Sequence, residues 1–421
     1  MGHQTVIKRI SLLLLLSLGW AACSGGTAID DSQVQNGTET VQVTTRTPTT
    51  NQSGLAEEGD TPVAATPIAT VVHPETEIQK SPISTPTAAG EPHPSITFEE
   101  ITTDNATRVT QISEIRFDPW DLVVSLAWSP DGKIIALSSG GNVHLYATGD
   151  LDPLASQNIG ALTHSLAFSS DGNLLAAGSR DGFIRVWNLA DLVGSDFSVH
   201  PIMEAEAHKK GVNALVFSPS DGLLATGGND AVARLWDIDT GENIETMIGG
   251  TFTVPTIAFS PDGRVLAVVN GGMVRLREVG SESIVGSFLS ESPLYSIAFS
   301  PDGDILTVGD IDNQIRLWDP DEAFRTGVEG YPDPVILSGH NGADGTFSAL
   351  IWDLDFNPKG ELLASAGGDG TIRLWEIANG ESLITLNGFE RGVTCVGFSP
   401  DGRFLASGSL DGTLRLWGVE P

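Results

Sequence analysis

An all-β fold is predicted by three observations. First, a turn block recurs seven times, at 129–132, 169–172, 218–222, 260–263, 300–303, 357–360 and 399–402, with Ser129-Pro130-Asp131-Gly132 as its pattern. Pro pre-sets φ and Gly permits positive φ, so these blocks are turn chemistry rather than helix interiors. Second, each block follows an apolar run that ends in an aromatic residue: Trp128, Phe168, Phe217, Phe259, Phe299, Phe356 or Phe398. Third, each block precedes two further runs of strand length that alternate with period two and are joined by a second tight turn such as Asp369-Gly370. High Gly (48) and Pro (23) contents suit many short strands and tight turns.

The repeating unit is thus three strands and two turns, with a fourth, less regular strand in the segment before the next unit. The third strand of each unit ends at Tyr146, Trp187, Trp236, Arg277, Trp318, Trp375 or Trp417. Leu235-Trp236-Asp237 and Leu317-Trp318-Asp319, with a spacing of 41 residues between several of these positions, resemble WD repeats. The resemblance covers residues 108–421 and implies a seven-bladed β-propeller of four-stranded antiparallel blades around a central channel.

The same resemblance implies a structural hydrogen-bond set of His, Ser or Thr, Asp and Trp within a blade. It is complete as His208, Thr226, Asp230 and Trp236, and again as His340, Ser365, Asp369 and Trp375. The seventh unit keeps Ser407, Asp411 and Trp417 but has Phe389-Glu390 where Gly-His is usual. The second and fifth keep only the Asp and Trp, and the first and fourth keep neither. A catalytic triad is the competing reading of His, Ser and Asp; the recurrence of the trio in two units speaks against it. The last unit stops after its third strand, so residues 107–117 are predicted to pair beside 413–417 and close the ring. An unclosed ring would leave two strand edges open.

The first hundred residues are different material. Lys8 and Arg9 precede a short apolar run, residues 10–18, too short to span a bilayer and placed as in a secretory signal peptide. Ala21-Ala22-Cys23-Ser24 resembles a bacterial lipobox, with Trp20 where that family usually has Leu. The resemblance implies a signal peptide at 1–22 and a lipid anchor on Cys23, hence an extracytoplasmic protein held at a membrane, or a secreted one. Residues 23–106 are rich in Thr, Pro and Ser and lack apolar periodicity, which predicts a disordered tether. The propeller is expected to occupy 107–421.

Formal net charge is −32, and −25 from residue 112 onward. Such a surface repels nucleic-acid phosphates and anionic headgroups, so no nucleic-acid partner is expected and the membrane is engaged only through the anchor. The charge reads either as solubility or as attraction for a cationic ligand or basic protein. No metalloprotease, Cys-x-x-Cys, nucleophile-elbow or phosphate-loop motif is present in the sequence. The acids Asp310, Asp312, Asp319, Asp321 and Glu322 read as turn and surface residues before they read as a calcium site. No enzyme activity, cofactor or metal is expected.

The seven units form their own alignment. The position four before each aromatic of the first strand reads Val124, His164, Asn213, Pro255, Tyr295, Trp352 and Thr394. The aromatic column obeys packing and this one does not. In WD propellers this position lies near the channel mouth on the top face, the usual partner surface. His164, Tyr295 and Trp352, with Trp120 in the loop before the first unit, are the candidate partner-binding residues; inter-blade packing is the alternative for each. Phe347 joins them from the second of two insertions, 188–207 and 319–347, which either bind or decorate. The expectation is a monomeric, non-enzymatic scaffold binding a protein or peptide through its top face. Small-ligand or carbohydrate binding, or hydrolysis, in the channel is the alternative.

Overall fold

The computed structural model describes residues 98–421 except 119, 194–198, 221, 249, 282, 327–332 and 343–349. The signal and lipidation readings at 1–22 and Cys23, most of the tether, and Phe347 lie outside the described residues.

Seven four-stranded antiparallel sheets form a seven-bladed propeller. Blades 1 to 6 occupy 123–158, 163–206, 212–248, 257–289, 294–338 and 351–386; blade 7 combines 393–418 with 110–116. Within each blade the first strand is innermost, and each innermost strand touches that of the next blade, the seventh returning to the first. The Pro-Asp-Gly turns link first and second strands on the bottom face. Their geometry is repeated: the Ser129 hydroxyl donates to Asp131 at 2.7 Å and accepts the Ile134 N–H at 2.9 Å, and blades 2, 4, 5 and 7 repeat both bonds.

The ring closes as the sequence indicates. Strand Thr110–Arg116 pairs antiparallel with Thr413–Gly418, with Gln111 opposite Trp417 and Ile115 opposite Leu414, and a register shift between Gln111 and Ser113. The seam also carries charge: Glu114 accepts from Arg415 at 2.8 Å. The folded region begins before residue 107. Glu99 bridges Val419, the Ile101 N–H bonds to the Gly402 carbonyl at 2.8 Å, and Ile101 and Ala106 are fully buried against blades 6 and 7. Those two apolar residues separate 98–106 from the polar stretch to which the composition assigns it.

The two insertions have one design. In each, the chain leaves a Trp and forms a short helix, Leu189–Val193 or Pro320–Thr326. That helix packs on the outermost strand of the preceding blade, so blade 2 covers blade 1 and blade 5 covers blade 4. Leu192 and Ala323 are buried there. Gly286 on blade 4 permits the second contact, since a Cβ there would stand 3.0 Å from that of Ala323. The first halves of both insertions therefore cover apolar surface within the ring.

Candidate binding face

The structural sets are present in blades 3 and 6. His208 Nδ1 lies 2.7 Å from Asp230, its Nε2 lies 2.9 Å from the Thr226 hydroxyl, and that hydroxyl accepts from Trp236 Nε1 at 3.0 Å. In blade 6 the distances are 3.0 Å for His340 to Asp369, 2.7 Å for His340 to Ser365 and 2.8 Å for Trp375 to Ser365. All these side chains lie among strands, where a satisfied polar network stiffens a blade and an unsatisfied one costs free energy. Burial holds the His208 imidazole below its usual pKa. Burial alone would raise Asp369, but bonds from His340, Asn341 and Thr371 hold it at about 2. In blade 7 Trp417 donates to Ser407 at 2.9 Å, while Phe389 packs 5.9 Å from the Trp417 ring where blades 3 and 6 have His.

A compensating position is visible once the blades are superposed. The last residue of the second strand is Gly228 in blade 3 and Gly367 in blade 6, against Ser139, Ser179, Asn270, Asp310 and Ser409 in blades 1, 2, 4, 5 and 7. Only the blades with a His have Gly there. A Cβ on Gly228 would stand 2.2 Å from His208 Nδ1, and one on Gly367 2.3 Å from His340 Nδ1. The five other residues are buried and hydrogen-bonded, as in Ser139 to the Asp121 carbonyl, Ser179 to Asp181, and Asp310 to Arg316. Asp310 also accepts the N–H groups of Asp312 and Gln314, so it shapes a turn; no metal-binding group of acids occurs among the described residues. Blade 2 has lost the Ser/Thr hydroxyl, and its Trp187 instead donates to the Val199 carbonyl of its own insertion at 3.1 Å.

All seven residues of the variable column line one cavity of about 360 Å³ at the top mouth of the channel. Tyr295 and Trp352 meet edge to face, with centroids 5.2 Å apart, on the wall made by blades 5 and 6. Desolvation pushes the Tyr295 phenol up to about 12. His164 lies on the opposite wall. Desolvation, then the charge of Arg180, lowers it to about 4, so it is a neutral imidazole at neutral pH; its Nε2 has no hydrogen-bond partner among the described residues. Trp120 is 80% exposed, in the loop before blade 1 and outside this cavity.

His164 is not the one acid-base group at the channel mouth. Asp353 lines the cavity, and Asp355 lies two residues further along the same innermost strand. The self-alignment carries this signal: the position three before the aromatic reads Ser125, Ser165, Ala214, Thr256, Ser296, Asp353 and Cys395. Ser125, Ser165, Ser296 and Asp353 tie innermost strands of neighbouring blades together. Ser125 accepts the Leu166 N–H at 3.1 Å, Ser165 that of Leu215 at 3.0 Å, and Asp353 that of Val396 at 2.9 Å. Asp355 adds a second bond between blades 6 and 7, from the Phe398 N–H at 2.7 Å. Each acid therefore holds a blade joint, which is a structural use and not the arrangement of a hydrolase pair.

Burial pushes Asp353 up to about 7 and Asp355 to about 8, the latter also through the neighbouring Asp353. A folded pKa above the unfolded value means a contribution to stability that is full below about pH 4 and lost as pH rises through 7 to 8. The wild type is therefore expected to lose this contribution to thermal stability between about pH 4 and 8, with no further loss from these two groups above that. Asp353→Asn/Asp355→Asn, whose amide oxygens can accept the same N–H groups, is expected to remove most of that loss. Melting curves across this range check it, and parallel profiles for the two proteins would sink it.

Five segments of the chain, 160–188, 199–237, 283–319, 333–376 and 380–418, match the family described as WD domain, G-beta repeat. They fall on blades 2, 3, 5, 6 and 7, and the unmatched blades 1 and 4 are those lacking both the Asp and the Trp. Among relatives, a WD repeat-containing protein of Schistosoma mansoni is 28% identical over 185 residues, 44% of this chain and 56% of its own length. A serine-threonine kinase receptor-associated protein of Gallus gallus is 26% identical over 221 residues, 52% of this chain and 57% of its own. A eukaryotic translation initiation factor 3 subunit I of Neurospora crassa is 38% identical over 95 residues, 23% of each chain. The chain thus spans little more than half the length of the first two relatives.

Proposed function

With five WD40 repeats in a seven-bladed propeller as the premise, we propose that this protein is a non-enzymatic scaffold that binds a protein or peptide through its top face. One observation carries the reading. The column four before the aromatic, which varies in size and chemistry from unit to unit, lines the channel mouth, and it holds the Tyr295 and Trp352 pair there. Aromatic residues at a rim make strong contact anchors. The names of two relatives, a receptor-associated protein and an initiation-factor subunit, describe proteins that work in company. The fold supports binding as a class; the site must supply the partner. The propeller acts as a monomer and, carrying −25 from residue 112 onward, without nucleic acid.

The location is a separate part of the proposal and rests on residues 8–23 alone. Residues 1–22 direct export, Cys23 takes the lipid, and the segment that follows tethers the propeller outside the cytoplasm at a membrane. The relatives named above are eukaryotic, so this reading draws nothing from them.

One preparation tests both parts. Cells carrying the full chain are labelled with an alkynyl palmitate and their membranes crosslinked, for wild type, Cys23→Ser and Trp120→Ala/Tyr295→Ala/Trp352→Ala. Label is expected on the wild type and not on the serine variant. A crosslinked partner is expected to disappear in the triple variant while its melting temperature stays within a few degrees of wild type. A partner that survives the triple variant would move the binding face elsewhere. Label on the serine variant would remove the anchor.

A further inference from the structure

The channel mouth is lopsided in charge, against the trend of the whole molecule. In a region that carries −25 from residue 112 onward, most arginines are tied to acids: Arg185 to Asp181 and Glu204, Arg234 to Asp230, Arg316 to Asp310, and Arg415 to Glu114. Arg180, Lys209 and Lys210 are different. Among the described residues none of their side chains makes an ion pair or hydrogen bond, and all three residues are exposed. They also lie together. Arg180 is on the turn between the second and third strands of blade 2, and its N–H is fixed to the Leu162 carbonyl at 2.8 Å. Lys209 and Lys210 are on the loop into blade 3, where a Cβ on Gly211 would stand 3.2 Å from the Arg180 carbonyl.

The surrounding side chains hold that arrangement in place. Asn229 lines the cavity, donates to the Lys210 carbonyl at 3.1 Å, and accepts from Asn213 at 3.0 Å. Asn213 donates in turn to the Val254 carbonyl at 3.1 Å. Arg180 itself lines the same cavity as His164, whose buried Nε2 has no hydrogen-bond partner among the described residues. Across the channel stand Tyr295 and Trp352. One wall therefore offers positive charge and a neutral imidazole, and the other offers aromatic surface. Asp353, on the aromatic wall, has its oxygens on the Leu354 and Val396 N–H groups.

We propose that the channel mouth recognises a carboxylate-bearing peptide: Arg180, flanked by Lys209 and Lys210, takes the carboxylate, and Tyr295 with Trp352 take an apolar side chain beside it. The inference rests on the top-face reading and narrows it to an acidic ligand, although net charge alone points to a basic one. A guanidinium suits this task because its planar fork pairs with both carboxylate oxygens. The local contact decides because repulsion from the distant surface acids is screened beyond about 8 Å at physiological salt. The cavity volume of about 360 Å³ holds a side chain rather than a folded domain.

The test uses the full chain and a panel of pentapeptides, followed by tryptophan fluorescence and calorimetry. One arm ends in Phe with a free carboxylate, a second is the same peptide amidated, a third is amidated with Glu before the Phe, and a fourth is amidated with Lys there. The first or third arm is expected to bind; their ratio says whether the chain end or a side chain supplies the carboxylate. Arg180→Gln is expected to weaken that binding about tenfold with the melting temperature unchanged. Lys-bearing or uncharged peptides binding as well, indifference to Arg180→Gln, or no binding in any arm would each overturn the inference. Tyr295→Ala/Trp352→Ala separates it from the broader reading. If peptides bind without regard to charge but are lost on this variant, the top face stands and the carboxylate falls; if neither variant matters, both fall.

Discussion

Deleting residues 98–117 is expected to make the chain aggregate. The deletion removes the outer strand of blade 7 and exposes the backbone edge of Thr413–Gly418 along its whole length. It also uncovers apolar surface, since Ile101, Ala106 and Val109 pack with the Phe398, Leu405 and Trp417 side chains. Ile101 alone, fully buried, is worth roughly 2 kcal/mol. Arg415, whose side chain is 4% exposed, would lose Glu114 and keep the Gly388 carbonyl and the Phe389 ring. Open, flat edges of this kind recruit other chains. Size-exclusion chromatography and pelleting measure the outcome. A synthetic peptide of residues 98–117, added in trans, is expected to restore part of the soluble fraction. A soluble deletion monomer with unchanged melting would show that the ring is held by its innermost strands alone.

The second large effect is expected from one methyl group. Gly367→Ala places a Cβ 2.3 Å from His340 Nδ1 and 2.4 Å from Asp369 Oδ1, so the imidazole must leave its bonds to Asp369 and Ser365. A clash in a packed interior combined with broken buried hydrogen bonds costs about 2–4 kcal/mol. The molecule also specifies the remedy. Blade 7 has Phe389 in place of the His and Ser409 in place of the Gly, with its Ser407, Asp411 and Trp417 intact. His340→Phe/Gly367→Ser copies that solution into blade 6. It is expected to be more stable than Gly367→Ser alone, although it carries one more substitution. Denaturant melts of the singles and the double give the coupling energy. Simple additivity would mean that the Gly and the His are not answering each other.

Most of the architecture was legible in the sequence because turns and alternation are local signals. Ser129-Pro130-Asp131-Gly132 and its six counterparts mark the strand ends, and counting them gives the blades and the missing outer strand of the seventh. What stayed hidden was local chemistry with non-local meaning. Ile101 and Ala106 lie in a segment whose composition predicts disorder, and two apolar residues do not change a composition. Asp353 and Asp355 read as ordinary alternating polar residues until their N–H partners, some forty residues on, are known. The variable column was found by comparing units, and all of it reached one cavity. Arg180 lies off that column, and its lack of a carboxylate partner is a property of three dimensions.

The placement of the two crossing helices gives the ring an internal order. Blade 1 lacks the polar set, blade 2 carries an insertion whose helix covers blade 1, and blade 3 has the complete set. Blades 4, 5 and 6 repeat that order, down to the Gly at the end of the second strand in blades 3 and 6. The spacing agrees for two of the three pairs: Tyr146 to Arg277 and Trp187 to Trp318 are each 131 residues, while Trp236 to Trp375 is 139. The ring therefore has the pattern of two similar three-blade blocks plus one single blade. In each block the blade without the polar set is the one whose outer strand the next blade's helix covers.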